Sequence, residues 1–347
     1  MSIIQREWAG KLTADFGFLL WQVAAMDSAT SAHLSETLLL LGRLDGRLQH
    51  SPAADIFLAR ARLAGAVALS GLAGVPIKVQ DLQDWISGRS PPPRASEGLN
   101  DPISVAAVFH FAISIDEDSR DPLMRATLNV LRTVLDDRAE AEAYAQDDLA
   151  HFGLCWRRVR EAADQRYPSA GLEAIAERVF ELAALTEAEA DDGIKVVTVD
   201  GRSLNLPPRA RDRNWVVAAV LPRMLHRAGL TTRVIPSLIL LPKFLPSMPA
   251  ELVDDMVVML RKAVDDALRD LDTIERSAAA IEIASVATKR SKAPILARLK
   301  LAYPGLKPAA VSRLLGVTPQ GARKLLATSP PTGQPRHSAR AGAASSR

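Results

Sequence analysis

The chain has 347 residues, 48% of them apolar and 24% charged, with a net charge of +3. That apolar content is ample for a buried core, and the length predicts more than one domain. A single cysteine, Cys155, excludes an intramolecular disulfide and suits a reducing cytoplasm. The most apolar stretch, residues 234–248, is cut by Pro236, Pro242 and Pro246 and is too short to cross a bilayer, so no membrane partner is expected. Alanine and leucine dominate over aromatic and β-branched residues, which favours helices. The predicted fold class is mainly all-α: a multi-helical body with one small β-hairpin and a C-terminal helix-turn-helix.

Residues 3–26 have Trp8, Leu12, Phe16, Leu19 and Leu20 at helical spacing, with Arg6, Glu7, Lys11 and Asp15 among them, which is not the pattern of a secretory signal. A second amphipathic helix, 31–48, carries Leu34, Leu38, Leu41 and Leu44 on one face. The Ala-rich stretch 56–72 predicts a helix whose small residues Ala61, Ala64, Gly65 and Ala68 permit a close partner. A short helix, 79–86, stops at Gly88.

The order LGRLDGRL (41–48), an Ala-rich helix, LSGLAG (69–74) and VQDLQDW (79–85) resembles the N-terminal helical region of Fic/Doc-type proteins, and region 1–90 is assigned to it. The resemblance aligns Leu69 to Gly74 with that family's inhibitory motif, where Ala73 replaces the glutamate. The family's catalytic His-Pro-Phe and glycine-rich loop are missing, since none of the six histidines precedes a proline. The family's nucleotidyl-transfer chemistry therefore does not carry over. The chain is expected not to be an enzyme, with no catalytic residues and no cofactor.

Residues 91–101 read as a Pro-rich linker, because three consecutive prolines cannot continue a helix. A helical scaffold follows at 102–248, with helices expected over 103–115, 122–135, 139–166 and 172–188. His151 and Cys155 stand four residues apart, but two ligands do not make a metal site and core packing is the reading; no metal is expected. Lys195 to Leu206 alternates around Asp200-Gly201, a hairpin signal. A helix at 215–228 contains Pro222, and the Pro-interrupted segment after it is expected to be buried against the scaffold.

The long helix 249–288 starts with Pro249 and Glu251 in a favourable first turn. Leu252, Met256, Met259, Ala263, Ala267, Leu271, Ile274, Ala278 and Ile281 alternate four- and three-residue steps, close to a heptad seam. Two readings stay open: a helix packed along its own domain, or a dimer helix separating two DNA-reading heads. A homodimer is the expectation.

Residues 289–328 predict a helix-turn-helix. A first helix runs from Pro294 to Tyr303. Val311, Leu314 and Leu315 give a second helix its apolar face. Gly316 suits a left-handed cap, Thr318 an N-cap and Pro319 the first helical position. Ala322, Leu325 and Leu326 form the inner face of the third helix, and Gly321 costs it about 1 kcal/mol relative to alanine. Ser312 and Ala322 fill the small and apolar places of the bacterial repressor pattern. Thr318, Gln320, Arg323 and Lys324 point outward, where such a helix enters the major groove, while Arg313 and Lys307 are placed to meet phosphates. Residues 329–347 read as a disordered basic tail.

From Ile283 to Arg347 there are twelve Lys and Arg and no Asp or Glu, leaving −9 on residues 1–282. A basic module at the end of an acidic body is the footprint of phosphate binding. The whole chain also resembles an uncharacterised family of helix-turn-helix proteins from rhizobia and their plasmids, which join a Fic-N-terminal-like region to a C-terminal helix-turn-helix. That resemblance implies a DNA-binding regulator, cytoplasmic and nucleoid-associated, whose partner is double-stranded DNA. The alternative is a non-catalytic Fic-like adaptor or antitoxin-like partner. The sequence names no effector. The charge partition also suggests that residues 289–347 can be deleted from a body that stays folded.

Overall fold

The computed structural model describes residues 32–91, 101–115, 121–135, 153–188, 194–197, 203–206, 214–284 and 292–328. These residues are mainly helical, and none of their helices is long and apolar enough to cross a membrane. Helix α1 spans 32–50. It is followed by α2 (Ala54–Leu72), α3 (Val79–Ile86), α4 (Pro102–Ile115), α5 (Pro122–Leu135), α6 (Gly153–Ala163) and α7 (Leu172–Ala188). Strands β1 (Ile194–Val197) and β2 (Ser203–Leu206) pair antiparallel, with Ile194 opposite Leu206. Then come α8 (Asn214–Arg227), α9 (Pro249–Ala284), α10 (Ala293–Ala302), α11 (Pro308–Leu315) and α12 (Pro319–Thr328).

The core is built around α2. Ile56, Phe57, Ala59, Leu63, Ala66 and Leu69 are all buried, and they point to more than one side of the helix. A helix apolar on several faces has to be surrounded, and α2 packs against α3, α4, α5, α8, α9 and α10. Of the small residues, Gly65 serves as the sequence suggests, whereas Ala64 is half-buried and Ala68 exposed. A Cβ built on Gly65 would lie 2.2 Å from Pro236 O and 3.0 Å from Pro236 C. The backbone of the Pro-interrupted segment therefore rests directly on α2. Gly65→Ala is expected to cost about 1–3 kcal/mol or more, because backbone rather than a flexible side chain must move. Thermal or urea unfolding of the variant measures it, and an unchanged midpoint would mean that the two backbones do not meet.

The starts of α4 and α5 are held by carboxylates. Asp101 accepts hydrogen bonds from the Ser104 amide at 2.8 Å and its hydroxyl at 2.7 Å. Asp121 accepts from the Leu123 amide at 2.9 Å through Oδ1, and its Oδ2 receives the Arg62 guanidinium at 3.2 Å. Asp101, the last residue of the expected linker, is thus the cap of α4; residues 92–100 lie outside the described residues.

The LDGR stretch has a structural use. Asp45 is buried and accepts from both the amide and the hydroxyl of Thr232, at 3.0 and 3.1 Å. Arg47 reaches α9, pairing with Asp272 at 2.7 Å and Glu275 at 2.6 Å.

Several expectations differ from the structure. The helix expected over 139–166 ends at Ala163, and residues 139–152 lie outside the described residues. His151 lies outside the described residues, as do 1–31, the Asp200-Gly201 turn, 285–291 and 329–347. The Pro-interrupted segment is only half covered: Ile235, Leu238, Leu240 and Leu241 are buried, whereas Phe244 and Met248 are exposed. Buried Pro222 sits inside α8, where it has no amide to give to the helix ladder.

Most of the seam of α9 is already occupied, with Met259 and Ala263 half-buried. Leu252, Met256, Ala267, Leu271, Ile274 and Ala278 are buried within this chain, where α9 packs on α7, α2 and α10. An i, i+4, i+7 stripe reads the same whether its cover comes from the same chain or another. Polar substitution of Leu271 or Ile274 is therefore expected to break the chain's own core rather than to loosen a dimer.

Candidate nucleic-acid interface

Helices α10, α11 and α12 form the C-terminal head. Its interior comprises Leu296, Leu299, Ala302, Tyr303, Leu306, Ala310, Val311, Leu314, Leu315 and Ala322, all buried. The turn is built as the residue types require. Gly316 takes φ 60° and ψ 41° as the left-handed cap of α11, and its amide donates to Ser312 O. The Val317 amide donates to the same carbonyl at 3.1 Å, while the Ser312 hydroxyl donates to Val317 O at 2.5 Å. Ser312 therefore closes the turn from both sides, which a larger apolar residue could not do.

Thr318 caps α12, its Oγ1 accepting from the Gly321 amide at 3.1 Å. A Cβ on Gly321 would stand 3.2 Å from that same oxygen. This contact is tight, so the glycine's intrinsic cost is partly offset by the room it leaves for the cap.

Thr318, Gln320, Arg323 and Lys324 are all exposed on α12, and they lie at its N-terminal end and along its outer face. Lys307, the N-cap of α11, is exposed, and Arg313 is half-buried. None of the ion pairs among the described residues engages Arg313, Arg323, Lys324 or Lys307. Ala322 is the buried residue of α12, while Leu325 and Leu326 are only half-buried, so the inner face of this helix is shallower than its sequence suggests. Helix α12 packs on α11.

Not every basic residue of the tip faces outward. Arg298 points into the body, where its Nε donates to Asp55 at 2.7 Å and its Nη2 to Pro52 O at 2.5 Å. Lys300 is half-buried, and burial lowers its ammonium pKa from the ordinary value.

The sequence reading missed the docking of the head. Helices α10 and α11 pack on α5, and α10 also packs on α2 and α9. The Lys307 amide donates to Ser87 O at 2.9 Å, and Asn129 Nδ2 donates to Leu314 O at 3.3 Å. The Tyr303 hydroxyl lies 2.8 Å from Thr127 Oγ1 in a fully buried contact. The Thr127 hydroxyl itself donates to Leu123 O at 2.9 Å, so the Tyr303 proton points to Thr127. Burial pushes the Tyr303 phenol up to about 12, keeping it neutral. Close by, His110 is wholly buried, and desolvation together with Arg62 holds its pKa at about 3. It is an uncharged core residue whose Nδ1 faces the Ser114 hydroxyl at 3.2 Å. An aromatic residue directly before Pro304-Gly305 was the available signal, since a large ring at a helix end needs cover from elsewhere.

No group of three or more potential metal-ligating side chains gathers among the described residues. What the head offers chemically is a turn-braced helix end with an amide side chain and two cations on a surface free of acids. Against protein-family models, curated proteins and solved structures, the chain finds no match.

Proposed function

We propose that this protein binds double-stranded DNA sequence-specifically through α11 and α12 and acts as a transcriptional regulator rather than an enzyme. The observation that carries the reading is the exposed N-terminal end of α12, bearing Thr318, Gln320, Arg323 and Lys324, in a head whose sequence holds no acid from Ile283 onward. In this reading Gln320 bridges adenine N6 and N7, and Arg323 forks to guanine O6 and N7. Lys307 and Arg313 hold phosphates and set the register. One helix of base contacts gives modest specificity, so two copies on a two-fold site complete the proposal. The dimer contact is then a surface other than the buried seam of α9.

Arg323→Ala is expected to cost about 1–3 kcal/mol on the cognate duplex and to relax preference at one base pair. Lys307→Ala weakens all duplexes alike and lowers the salt slope by about one ion. Anisotropy titrations on cognate and scrambled duplexes at several salt concentrations separate the two. Equal losses on both duplexes for Arg323→Ala would remove base reading from α12.

A further inference from the structure

Two positions of the α9 stripe, Met259 and Ala263, are only half-buried where a slot of about 520 Å³ opens between α9 and α2. Alanines make both of its long walls. Ala61, Ala64 and Ala68 stand at i, i+3 and i+7 on α2, and Ala263 and Ala267 at i and i+4 on α9. Side chains this small leave between two helices the space that leucines would fill. The third wall is the Pro-interrupted segment, which rests on Gly65 and supplies Ile239 and Leu240.

The charges around the slot cancel. Arg60 pairs with Asp270 at 2.5 Å, and Asp266 pairs with Arg269 on its own helix. Lys262, exposed, stands within one turn of Asp265 and Asp266. The lining thus holds two cations and two acids, and both acids are already paired. Ser237 is the one uncharged polar side chain among the described lining residues.

We infer that this slot binds a compact uncharged apolar molecule, an aromatic or branched aliphatic body with one hydroxyl or carbonyl group. Its volume and its lining, apolar walls with few polar groups, are those of a small-ligand site. An apolar body restores the dispersion contacts that the facing alanines lack. The Ser237 hydroxyl offers a donor and an acceptor to the single polar group. An anion would meet Asp266 and Asp270 beside Lys262, and a cation would meet Arg60 and Lys262 beside the acids. Neither sign finds a net attraction to offset its desolvation. Helices α2 and α9 both pack on α10, so the slot lies between two of the helices that seat the head. Its occupancy is independent of DNA binding.

The probe is the uncharged dye N-phenyl-1-naphthylamine, titrated by fluorescence into the full chain and competed by 1-naphthol, 1-naphthoate or 1-naphthylmethylammonium. A saturable single-site signal is expected, and naphthol is expected to displace it at about tenfold lower concentration than either ion, whose charge must leave water. Ala64→Leu, which fills the slot from α2, and Ala68→Leu, at an exposed position of the same wall, are each expected to weaken dye binding about tenfold or more. Because Ala68 is exposed, the second variant is expected to keep the wild-type circular dichroism spectrum. Lys262→Gln is expected to leave dye affinity within about twofold, since an uncharged ligand draws little from a solvated ammonium. No saturable phase, wild-type affinity in Ala68→Leu, or ionic competitors as effective as naphthol would each overturn the inference.

Discussion

Tyr303→Ala is expected to destabilise the protein by about 3–5 kcal/mol, the range for truncating a large buried aromatic side chain. The ring is fully buried at the end of α10, in the continuous core shared by head and body. Tyr303→Phe tests the hydroxyl separately. Because Thr127 keeps its own bond to Leu123 O, only one hydrogen bond is lost, and a cost of about 0.5–1.5 kcal/mol is expected. Urea unfolding followed by circular dichroism should show one transition in each variant, shifted to a lower midpoint. A Tyr303→Ala protein in which the head melts alone, leaving the transition of the body unmoved, would refute the shared core. The same contacts revise the expectation for truncation. Deleting residues 289–347 uncovers the faces of α2, α5 and α9 that α10 and α11 occupy. The remaining chain is expected to aggregate rather than persist as a folded acidic body.

Removal of Arg62 is the second large effect. Its side chain is 1% exposed, and its guanidinium bonds Asp121 Oδ2, itself 14% exposed, at 3.2 Å. Arg62→Met leaves the Asp121 carboxylate without its cation, and a loss of about 3–5 kcal/mol is expected. Asp121→Asn alone removes the carboxylate charge beside the guanidinium but retains a side-chain oxygen for the start of α5. The double variant removes both members of this ion pair, so it is expected to be more stable than the sum of the single losses allows, by about 1 kcal/mol or more. Chemical denaturation of all four proteins completes the cycle, and strict additivity would show that the pair does not act as one unit.

Much of the architecture is legible in residue pattern. The Ala-rich run 56–72, VQDLQDW and the Leu172 to Ala188 stretch form helices close to where their periodicity puts them. The turn around Gly316 is legible at atomic detail, because φ above zero, a hydroxyl N-cap and a proline at the first helical position leave few alternatives. Long-range pairing is not legible. Arg298 looks like one more phosphate-holding cation until Asp55, more than 200 positions earlier, is found beside it. Leu271 and Ile274 advertise an apolar stripe without naming its cover. Local rules act through neighbours in sequence, whereas docking depends on which surfaces are left over once the helices exist.

The placement of α2 at the centre also bears on how the chain is made. Three of its six partners arrive late: α8 starts at Asn214, α9 at Pro249 and α10 at Ala293, the last some 220 residues after α2 ends at Leu72. At ordinary synthesis rates this helix spends roughly ten to fifty seconds outside the ribosome before its last cover is translated. Until then Ile56, Phe57, Leu63 and Leu69 lack part of their final burial. The polypeptide is therefore committed to completing its fold only near the end of translation, with a waiting time during which holding chaperones have an apolar helix to grasp.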